Sequence, residues 1–428
     1  MPLFRVTSAR LFASLVLLLA ALALVSACSG RRKELQPGAW RAVLEGPGGE
    51  LPFGLDVAKE EAGFVLTLVN GEERVRVTEV KVEDGQLTAV MPGYENTLTA
   101  RISGDELEGE VELLRAGGKT QVLPFMAKRG QAWRFFEKPL TDNADVAGRW
   151  AVTFTDDSGK TAKAIAEFAQ SFGVVTGTVL TPTGDHRFLA GEVRGDDLYL
   201  SRFDGASAYL YRAHVNERGE LEGEYWSGQT SHRKLLAVRD PNAVLDTSAV
   251  ATELKDPAVK LEFSFPDLDG KPVSLSDPRF QGKVVIVTLA GSWCPNCHDE
   301  AAFLAPLYRE YRERGLEIVA LMFEHFGDFA RAAAATRRFR DRFDIEYTTL
   351  IAGTSDTDEA SKALPQLTGV FAYPTTIFID RSGQVRKIHA GFSGPATGQH
   401  YEEQTQEFRA LVETLLAESG KDTAGAAD

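Results

Sequence analysis

The sequence predicts two antiparallel all-β modules followed by a C-terminal α/β domain, which has a mixed central sheet with helices on both faces. Two observations favour this division. Between residues 38 and 239, apolar and polar residues alternate in short runs separated by Gly, Asp and Asn, as in antiparallel strands. From about residue 258, strand-like runs alternate with segments of helical period, which is typical of a sheet covered on both faces.

The N-terminus has the pattern of an export signal. Arg5 and Arg10 precede the apolar run LFASLVLLLAALALVSAC, which ends at Cys28. A positive region, an apolar region and a small-residue end are typical of secretory signal peptides. An uncleaved membrane anchor stays open as the alternative, because the run is just under the length of a spanning helix. The tetrad Val-Ser-Ala-Cys resembles a bacterial lipobox, which predicts that residues 1–27 are removed and that Cys28 is lipidated.

A lipidated Cys28 would anchor the chain, since each buried methylene of an acyl chain contributes about 0.8 kcal/mol. Removal of residues 1–27 takes away two positive charges and changes the net charge from −14 to −16 (−14 minus 2). So acidic a chain is not expected to bind nucleic acid. We expect a protein of the bacterial cell envelope on the periplasmic side. Ser29 favours the outer membrane, if the enterobacterial sorting pattern applies.

After a polar tether at residues 28–37, two β-rich modules are predicted at 38–137 and 146–239. Their sequences are similar: PGAWRAVLEG opens the first and AGRWAVTFTD the second, and Leu-Glu-Gly-Glu occurs near the end of each. Trp40 and Trp150, 110 positions apart, are interpreted as core residues. Chance similarity between two β-rich segments is the alternative.

Residues 240–257 are predicted to be a linker, 258–418 the α/β domain, and 419–428 a disordered tail. Strands are expected at 283–291, 316–324, 347–353, 374–380 and 385–391. The last two flank a turn and form a hairpin. Helices are expected from Pro295 to about Arg314, at 329–343 and at 401–418.

The chain has only three cysteines, and two of them, Cys294 and Cys297, lie in the segment GSWCPNCHDE directly after an apolar strand. A disulfide that closes so short a loop stabilises a fold very little, so the pair points to chemistry. A sulfur at a helix N-terminus meets unpaired N–H groups and the positive end of the dipole, which favour thiolate. We expect an exposed attacking thiolate at Cys294 and a shielded resolving thiol at Cys297.

The segments VVIVTLAGSWCPNC and YPTTIFID resemble the thioredoxin superfamily, and specifically its TlpA/ResA-like exported thiol-disulfide oxidoreductases. The likeness covers about residues 258–418 and includes the preface FSFPDLDGKPVSLSD, which matches a short N-terminal hairpin of that group. It implies a thioredoxin-like fold for the C-terminal domain. It says nothing about the β-rich modules.

The resemblance also assigns roles by position. Cys294 would attack and Cys297 would resolve, while Trp293 would wall the site. Pro374 matches a proline that adopts a cis peptide bond beside the disulfide and exposes backbone for pairing with substrate. Glu300 matches an acidic residue that adjusts the cysteine pKa values and moves protons.

Two positions depart from the pattern of the superfamily. Thr288 stands where classical thioredoxins have a buried Asp, so proton handling would pass to Glu300 or water. Ala302 stands where many relatives have Pro. The loop 391–398 follows the last strand, where thioredoxins build a third wall of the substrate groove.

Each site residue also has a plainer interpretation. The cysteine pair could be structural or bind metal, and Glu300 could be a solvated acid of the first helical turn. Pro374 could be an ordinary trans proline, and Trp293 could be only a packing residue. His298, His325 and His389 are expected to be satisfied or surface histidines.

The predicted function is reduction of protein disulfides, with the Cys294–Cys297 disulfide as the redox centre and no cofactor or metal. The expected partners are oxidised protein substrates, a membrane thiol-electron donor and the membrane itself through the lipid anchor. Peroxiredoxin chemistry is rejected, because Gly291 stands where that chemistry needs Thr. Two alternatives stay open: copper delivery through the cysteine pair, and an envelope binding protein whose β modules carry the main function.

Overall fold

The computed structural model describes residues 34–418. The predicted signal peptide, the predicted lipidation site Cys28 and the predicted disordered tail lie outside the described residues. None of the helices within the described part of the chain has both the length and the apolar character needed to cross a membrane.

The first nine strands form one antiparallel sheet, here called barrel 1, in the order β4-β3-β2-β1-β9-β8-β7-β6-β5. Because β4 ends at Val77 and β5 begins at Glu79, the two ends of this sheet meet at Thr78 and the sheet curls around its core. The strands are β1 Gly38–Gly46, β2 Gly49–Glu60, β3 Gly63–Asn70, β4 Glu73–Val77, β5 Glu79–Glu83, β6 Gln86–Val90, β7 Thr97–Ser103, β8 Glu106–Arg115 and β9 Lys119–Arg129.

The next nine strands form a second antiparallel sheet, here called barrel 2. Pairing of β11 with β12 closes eight of them into a ring in the order β11-β10-β18-β17-β16-β15-β14-β12, and the short β13 extends from β12. The strands are β10 Gly148–Thr155, β11 Thr161–Ser171, β12 Val174–Thr181, β13 Gly184–Asp185, β14 Leu189–Arg194, β15 Asp197–Phe203, β16 Ala208–Val215, β17 Leu221–Ser227 and β18 Ser231–Arg239.

The two barrels share two local features, a buried tryptophan and a glycine at a close approach between strands. Trp40 and Trp150 are each about 1% exposed, and each indole donates to the carbonyl four residues earlier. In the repeated Leu-Glu-Gly-Glu segments, a Cβ on Gly109 or Gly223 would lie 1.9 or 2.1 Å from a carbonyl oxygen of the paired strand. Only glycine permits that approach. The similarity of the two halves therefore has a physical basis at matching positions.

The C-terminal domain contains a five-stranded mixed sheet in the order β23-β22-β21-β24-β25 and a separate β19-β20 hairpin. β21 pairs parallel to β22 and antiparallel to β24. The strands are β19 Ser264–Pro266, β20 Pro272–Ser274, β21 Val284–Ala290, β22 Leu316–Glu324, β23 Thr348–Thr354, β24 Thr375–Ile379 and β25 Val385–Ala390. Every residue of β21 and β24 is buried, which requires cover on both faces of the sheet.

The helices of this domain are α1 Pro295–Tyr311, α2 Phe329–Phe343, α3 Thr357–Ala363 and α4 Gln399–Ala417, and a 3-10 turn Arg312–Arg314 follows α1. The fold class predicted from the sequence is confirmed. The short helix α3 was not predicted, although Asp356 caps it by accepting from the backbone of Asp358 and Glu359.

The segment that joins barrel 2 to the C-terminal domain packs against that domain. Lys255 N donates to Gln366 O at 2.8 Å, and Thr368 N donates to Glu253 O at 2.8 Å. The joining segment is thus tied to the loop that leads towards Pro374.

Candidate redox site

The two cysteines lie where the central strand β21 gives way to α1. Cys294 is the N-cap of this helix, and its sulfur accepts from the backbone N–H of Cys297 at 3.2 Å. Pro295 occupies the first turn, where the missing N–H costs nothing. Cys294 and Cys297 are joined as a disulfide, with their Cα atoms 5.2 Å apart. The local geometry is the one that the motif predicts.

The exposure of the attacking sulfur was predicted wrongly. Cys294 is 4% exposed and Cys297 is 1% exposed, so both are buried rather than one open and one shielded. The sulfur of Cys294 lies 3.4 Å from the carbonyl oxygen of Tyr373. The motif specifies a helix start, whereas burial depends on what packs around it.

Pro374 lies beside the disulfide and directly precedes β24. The Tyr373–Pro374 peptide bond is cis. The carbonyl of Pro374 accepts from Gly391 N at 2.7 Å, which holds the proline segment against the loop that follows β25.

Trp293 is half-buried, and both its ring and its N–H group have partners. The indole N–H donates to the carbonyl of Phe323 at 2.8 Å. The ring stacks on His325 with centroids 4.5 Å apart and meets Tyr373 edge-on at 5.6 Å. Trp293 therefore lines one side of the site in a fixed orientation.

Glu300 is buried one turn after Cys297, with 1% exposure, so it is not the solvated acid of the plainer interpretation. Its carboxylate accepts from Thr288 at 2.5 Å and also from Thr376. Burial raises the pKa of Glu300 to about 7, and the two hydroxyl donors hold it from rising further. Thr288, the departure from the thioredoxin pattern, is thus a partner of the acid.

A second buried acid, Glu324, lies at the end of β22 and was missed in the sequence. It accepts from the backbone and hydroxyl of Ser292 at 3.1 and 2.7 Å, and from Thr336 at 3.2 Å. Burial raises its pKa to about 7, opposed by these hydrogen bonds. An acid at the end of an otherwise apolar strand was the only available signal.

Two histidines flank the site in neutral form. Burial, and then the charge of Arg342, lowers the pKa of His298 well below its usual value. Its Nε2 lies 2.7 Å from Ser292 O and, with that partner, carries the proton. Burial, assisted by Arg115, lowers the pKa of His325 to about 4. Within residues 34–418, no group of three or more His, Cys, Asp or Glu side chains is arranged to hold a metal ion.

Barrel 1 contacts the side of α1. Tyr94 stacks on His298 with centroids 4.1 Å apart and an interplanar angle of 7°. The adjacent Glu95 pairs with Arg331 at 3.1 Å and with Arg338 at 3.4 Å, both on α2. The stack buries His298, which the sequence left among the ordinary histidines.

A buried group of five charged side chains joins both barrels to α1. This ionic cluster consists of Glu73, Arg187, Arg202, Asp204 and Asp299. Arg187 reaches Glu73 at 3.0 Å, Asp204 at 3.1 Å and Asp299 at 3.0 Å, and Arg202 pairs with Asp204. None of these side chains is more than 13% exposed. The cluster thus connects barrel 1, barrel 2 and α1, the helix that carries Cys297.

The two aspartates of the cluster differ in pKa. Burial would raise the pKa of Asp204, but Arg202 and Arg187, with backbone donors from Ser207 and Ala206, lower it overall. Burial raises the pKa of Asp299 to about 7, although Arg187 opposes the rise. Asp299 Oδ2 has no hydrogen-bond partner among the described residues. Neither aspartate was singled out in the sequence.

The strand order, the helix-capping cysteine and the cis proline beside it define a domain of the thioredoxin superfamily. In agreement, residues 254–404 match the family model described as Redoxin. The C-terminal domain is thus similar to the TlpA/ResA-like proteins of that superfamily.

Several proteins are similar to this domain. The thiol-disulfide oxidoreductase ResA of Bacillus thuringiensis subsp. konkukian (strain 97-27) is 32% identical over 29% of this chain and 62% of its own length. ResA of Halalkalibacterium halodurans is 28% identical over 36% of this chain and 74% of its own. A crystal structure of a thiol:disulfide interchange protein from Chlorobium tepidum TLS aligns with TM-score 0.29 and 22% identity, covering 38% of this chain and 97% of that one.

Proposed function

We propose that the protein is an extracytoplasmic thiol-disulfide oxidoreductase that reduces disulfides in other proteins. The observation that carries the proposal is the disulfide between Cys294 and Cys297 across the first turn of α1, with the sulfur of Cys294 facing the N–H of Cys297. Backbone donors and the helix dipole stabilise a thiolate at that position. The names of the ResA relatives are consistent with this chemistry.

In the proposed reaction, the Cys294 thiolate attacks one sulfur of a substrate disulfide. A mixed disulfide forms, and the other substrate sulfur leaves as a thiolate. Cys297, after losing its proton, then attacks Cys294, releases the second substrate thiolate and closes the Cys294–Cys297 disulfide. The two electrons pass from the protein to the substrate; one substrate thiolate takes up the proton that Cys297 releases, and the other takes up a proton from water.

We assign Glu300 the role of accepting the proton of Cys297. The carboxylate lies on the same helix one turn later, and its pKa of about 7 lets it exchange protons at neutral pH. Trp293 and Pro374 would border the bound substrate, and the backbone beside Pro374 would pair with it.

Turnover in the reducing direction requires a donor that returns two electrons to the disulfide. We propose a membrane thiol-electron donor for this step, with no cofactor beyond the disulfide itself. The predicted lipid on Cys28 would keep the protein near such a donor in the bacterial cell envelope, on the periplasmic side. An isolated Cys-Pro-Asn-Cys motif in a chain with an export signal supports this placement.

The test is insulin reduction by the full chain with dithiothreitol as donor. We expect Cys294→Ser to reduce the rate to the uncatalysed background, because the attacking sulfur is gone. Cys28→Ser is the matched control, since it removes a cysteine outside the motif, and it should keep the wild-type rate. Catalysis that survives in Cys294→Ser would refute the proposal. Mixed disulfides that accumulate on Cys297→Ala would then identify the substrates.

A further inference from the structure

A loop of barrel 2 contacts the turn that holds the two cysteines. This clamp loop consists of residues 183–187. Asp185 Oδ1 accepts from the side-chain amide of Asn296 at 2.9 Å and from Gly394 N at 2.8 Å. Asn296 lies between Cys294 and Cys297, so a residue more than a hundred positions away in the chain bonds to the redox motif itself.

Asp185 is held firmly in place. It is 5% exposed, and its other oxygen accepts from Arg187 N at 2.7 Å and from Thr178 Oγ1 at 3.3 Å. Arg187 has a left-handed backbone with φ of 53°, which costs free energy for a residue with a side chain. Its guanidinium group lies in the ionic cluster. The loop is therefore fixed by buried charges rather than left free.

Glycines on both sides allow the close approach. A Cβ on Gly184 would lie 2.9 Å from Asn296 Cγ, and one on Gly391 would lie 2.9 Å from the carbonyl carbon of Thr183. One on Gly394 would lie 2.5 Å from Asp299 Oδ2. A side chain at Gly184 would push the clamp loop away from Asn296, and one at Gly391 would push the clamp loop away from the segment that follows β25. The contact is thus built into both domains.

The amide of Asn296 also donates to the carbonyl of Phe392 at 3.1 Å, so its nitrogen has two acceptors. Fixing this side chain fixes the first turn of α1, in which Cys297 N faces the sulfur of Cys294. The stability of a thiolate at Cys294 depends on how well such donors are aimed.

We propose that Asp185 is a positioning residue of the redox site: by holding Asn296, it keeps the Cys-Pro-Asn-Cys turn in the conformation that stabilises the Cys294 thiolate. Barrel 2 is then part of the redox site, and the chemistry of the C-terminal domain depends on it. This inference rests on the proposed function for its purpose, but the thiolate can be measured without any substrate.

The experiment measures the alkylation of Cys294 by iodoacetamide in the reduced full chain as a function of pH. We expect Asp185→Ala to raise the midpoint by about 0.5 pH unit, which is roughly a threefold loss of thiolate well below the midpoint. A rise is diagnostic of positioning, because removal of the negative charge alone would lower the midpoint. We expect Asn296→Ala to raise it similarly. If Asp185 acts through Asn296, adding Asp185→Ala to Asn296→Ala gives no further shift, as in a double-mutant cycle.

Asp197→Ala is the matched control, because it removes an aspartate from the same barrel at a side chain 52% exposed. It should leave the midpoint unchanged. A midpoint in Asp185→Ala equal to that of Asp197→Ala would overturn the positioning role. If the wild-type protein does not catalyse insulin reduction, the proposed function is refuted. The measured shift in the midpoint of Cys294 alkylation is unaffected by that result.

A measurement without variants covers the case in which Asp185→Ala does not fold. The amide of Gly394 donates to Asp185, so its hydrogen exchange in the wild-type chain reports on the clamp loop. Slow exchange in both the oxidised and the reduced protein supports the proposal. Exchange as fast as that of an unstructured amide in the reduced protein contradicts it.

Discussion

Glu300 in the C-terminal domain and Asp204 in barrel 2 are equally buried, at 1% exposure each, but their pKa values move in opposite directions. The partners of Glu300 are the hydroxyl groups of Thr288 and Thr376, and its pKa rises to about 7. The partners of Asp204 include the guanidinium groups of Arg202 and Arg187, and its pKa falls.

The difference shows that the partner, and not the depth, decides what a buried carboxyl group can do. Neutral donors satisfy the oxygen atoms without compensating the charge, so the group can gain and lose a proton near neutral pH. Two guanidinium groups and two backbone N–H donors together keep Asp204 ionised at neutral pH, whereas Arg187 alone does not offset the burial of Asp299, whose pKa rises to about 7. The redox site therefore holds an acid that can exchange protons, and the domain interface holds one that serves as a fixed charge.

The largest expected effect tests the fixed charge. Arg202→Met leaves Asp204 with one fewer cation in a buried place, and we expect unfolding free energy to fall by about 3–5 kcal/mol at pH 7. Urea denaturation measures it. Arg218→Met is the control, because this arginine is 72% exposed, and its effect should be within about 0.5 kcal/mol. Equal losses in both variants would contradict the assigned role of the cluster.

The next effect tests the exchangeable proton. The folded pKa of Glu300 lies above its unfolded value, so its contribution to stability is complete below pH 4.5 and is lost as pH rises towards 7. In that window each such group lowers the unfolding free energy by up to about 1.4 kcal/mol per pH unit. Glu300→Gln should therefore flatten the pH dependence of stability between pH 4.5 and 7.

Asp204 gives the opposite sign. Its folded pKa is lowered, so its contribution to stability is present above its unfolded pKa and is lost as pH falls through its folded pKa.

The control for Glu300→Gln is Glu313→Gln, which removes an exposed glutamate. A pH profile that is unchanged by Glu300→Gln would mean that the carboxyl group titrates as it does in the unfolded chain.

The smallest effect separates the two protonation states of Glu300. Thr376→Val removes one hydroxyl donor from the carboxylate. Because hydrogen bonds to charged groups are stronger than those to neutral ones, we expect a loss of about 2 kcal/mol at pH 8 and about 1 kcal/mol at pH 5. Urea denaturation of the wild type and the variant at both pH values measures the loss of unfolding free energy. An equal loss at both would show that Glu300 keeps one charge state throughout.

The sequence was sufficient for the local part of the site. An apolar strand, a cysteine pair three positions apart and a proline in the first turn predict a helix-capping sulfur, because these are short-range effects. The fold class followed from periodicity for the same reason. The short helix α3 was missed, because its seven residues carry little periodic signal.

The long-range part could not be predicted. The bond between Asp185 and Asn296 joins residues 111 positions apart, and nothing in either segment indicates the other. The burial of Cys294 and the role of Thr288 as a donor to Glu300 depend on packing in the same way. Glu324 was missed because one acid at a strand end is equally compatible with a solvated position.

The glycines at the contact between the clamp loop and α1 bear on how the C-terminal domain can be handled in isolation. An excised fragment would leave Asn296 without Asp185 and would expose Asp299 to water, where its carboxyl group ionises at ordinary acidic pH. The freed surface would present the Asp299 carboxylate near the cysteines without its partner Arg187. Reactivity values obtained with such a fragment would belong to a different electrostatic setting and would not transfer to the intact chain.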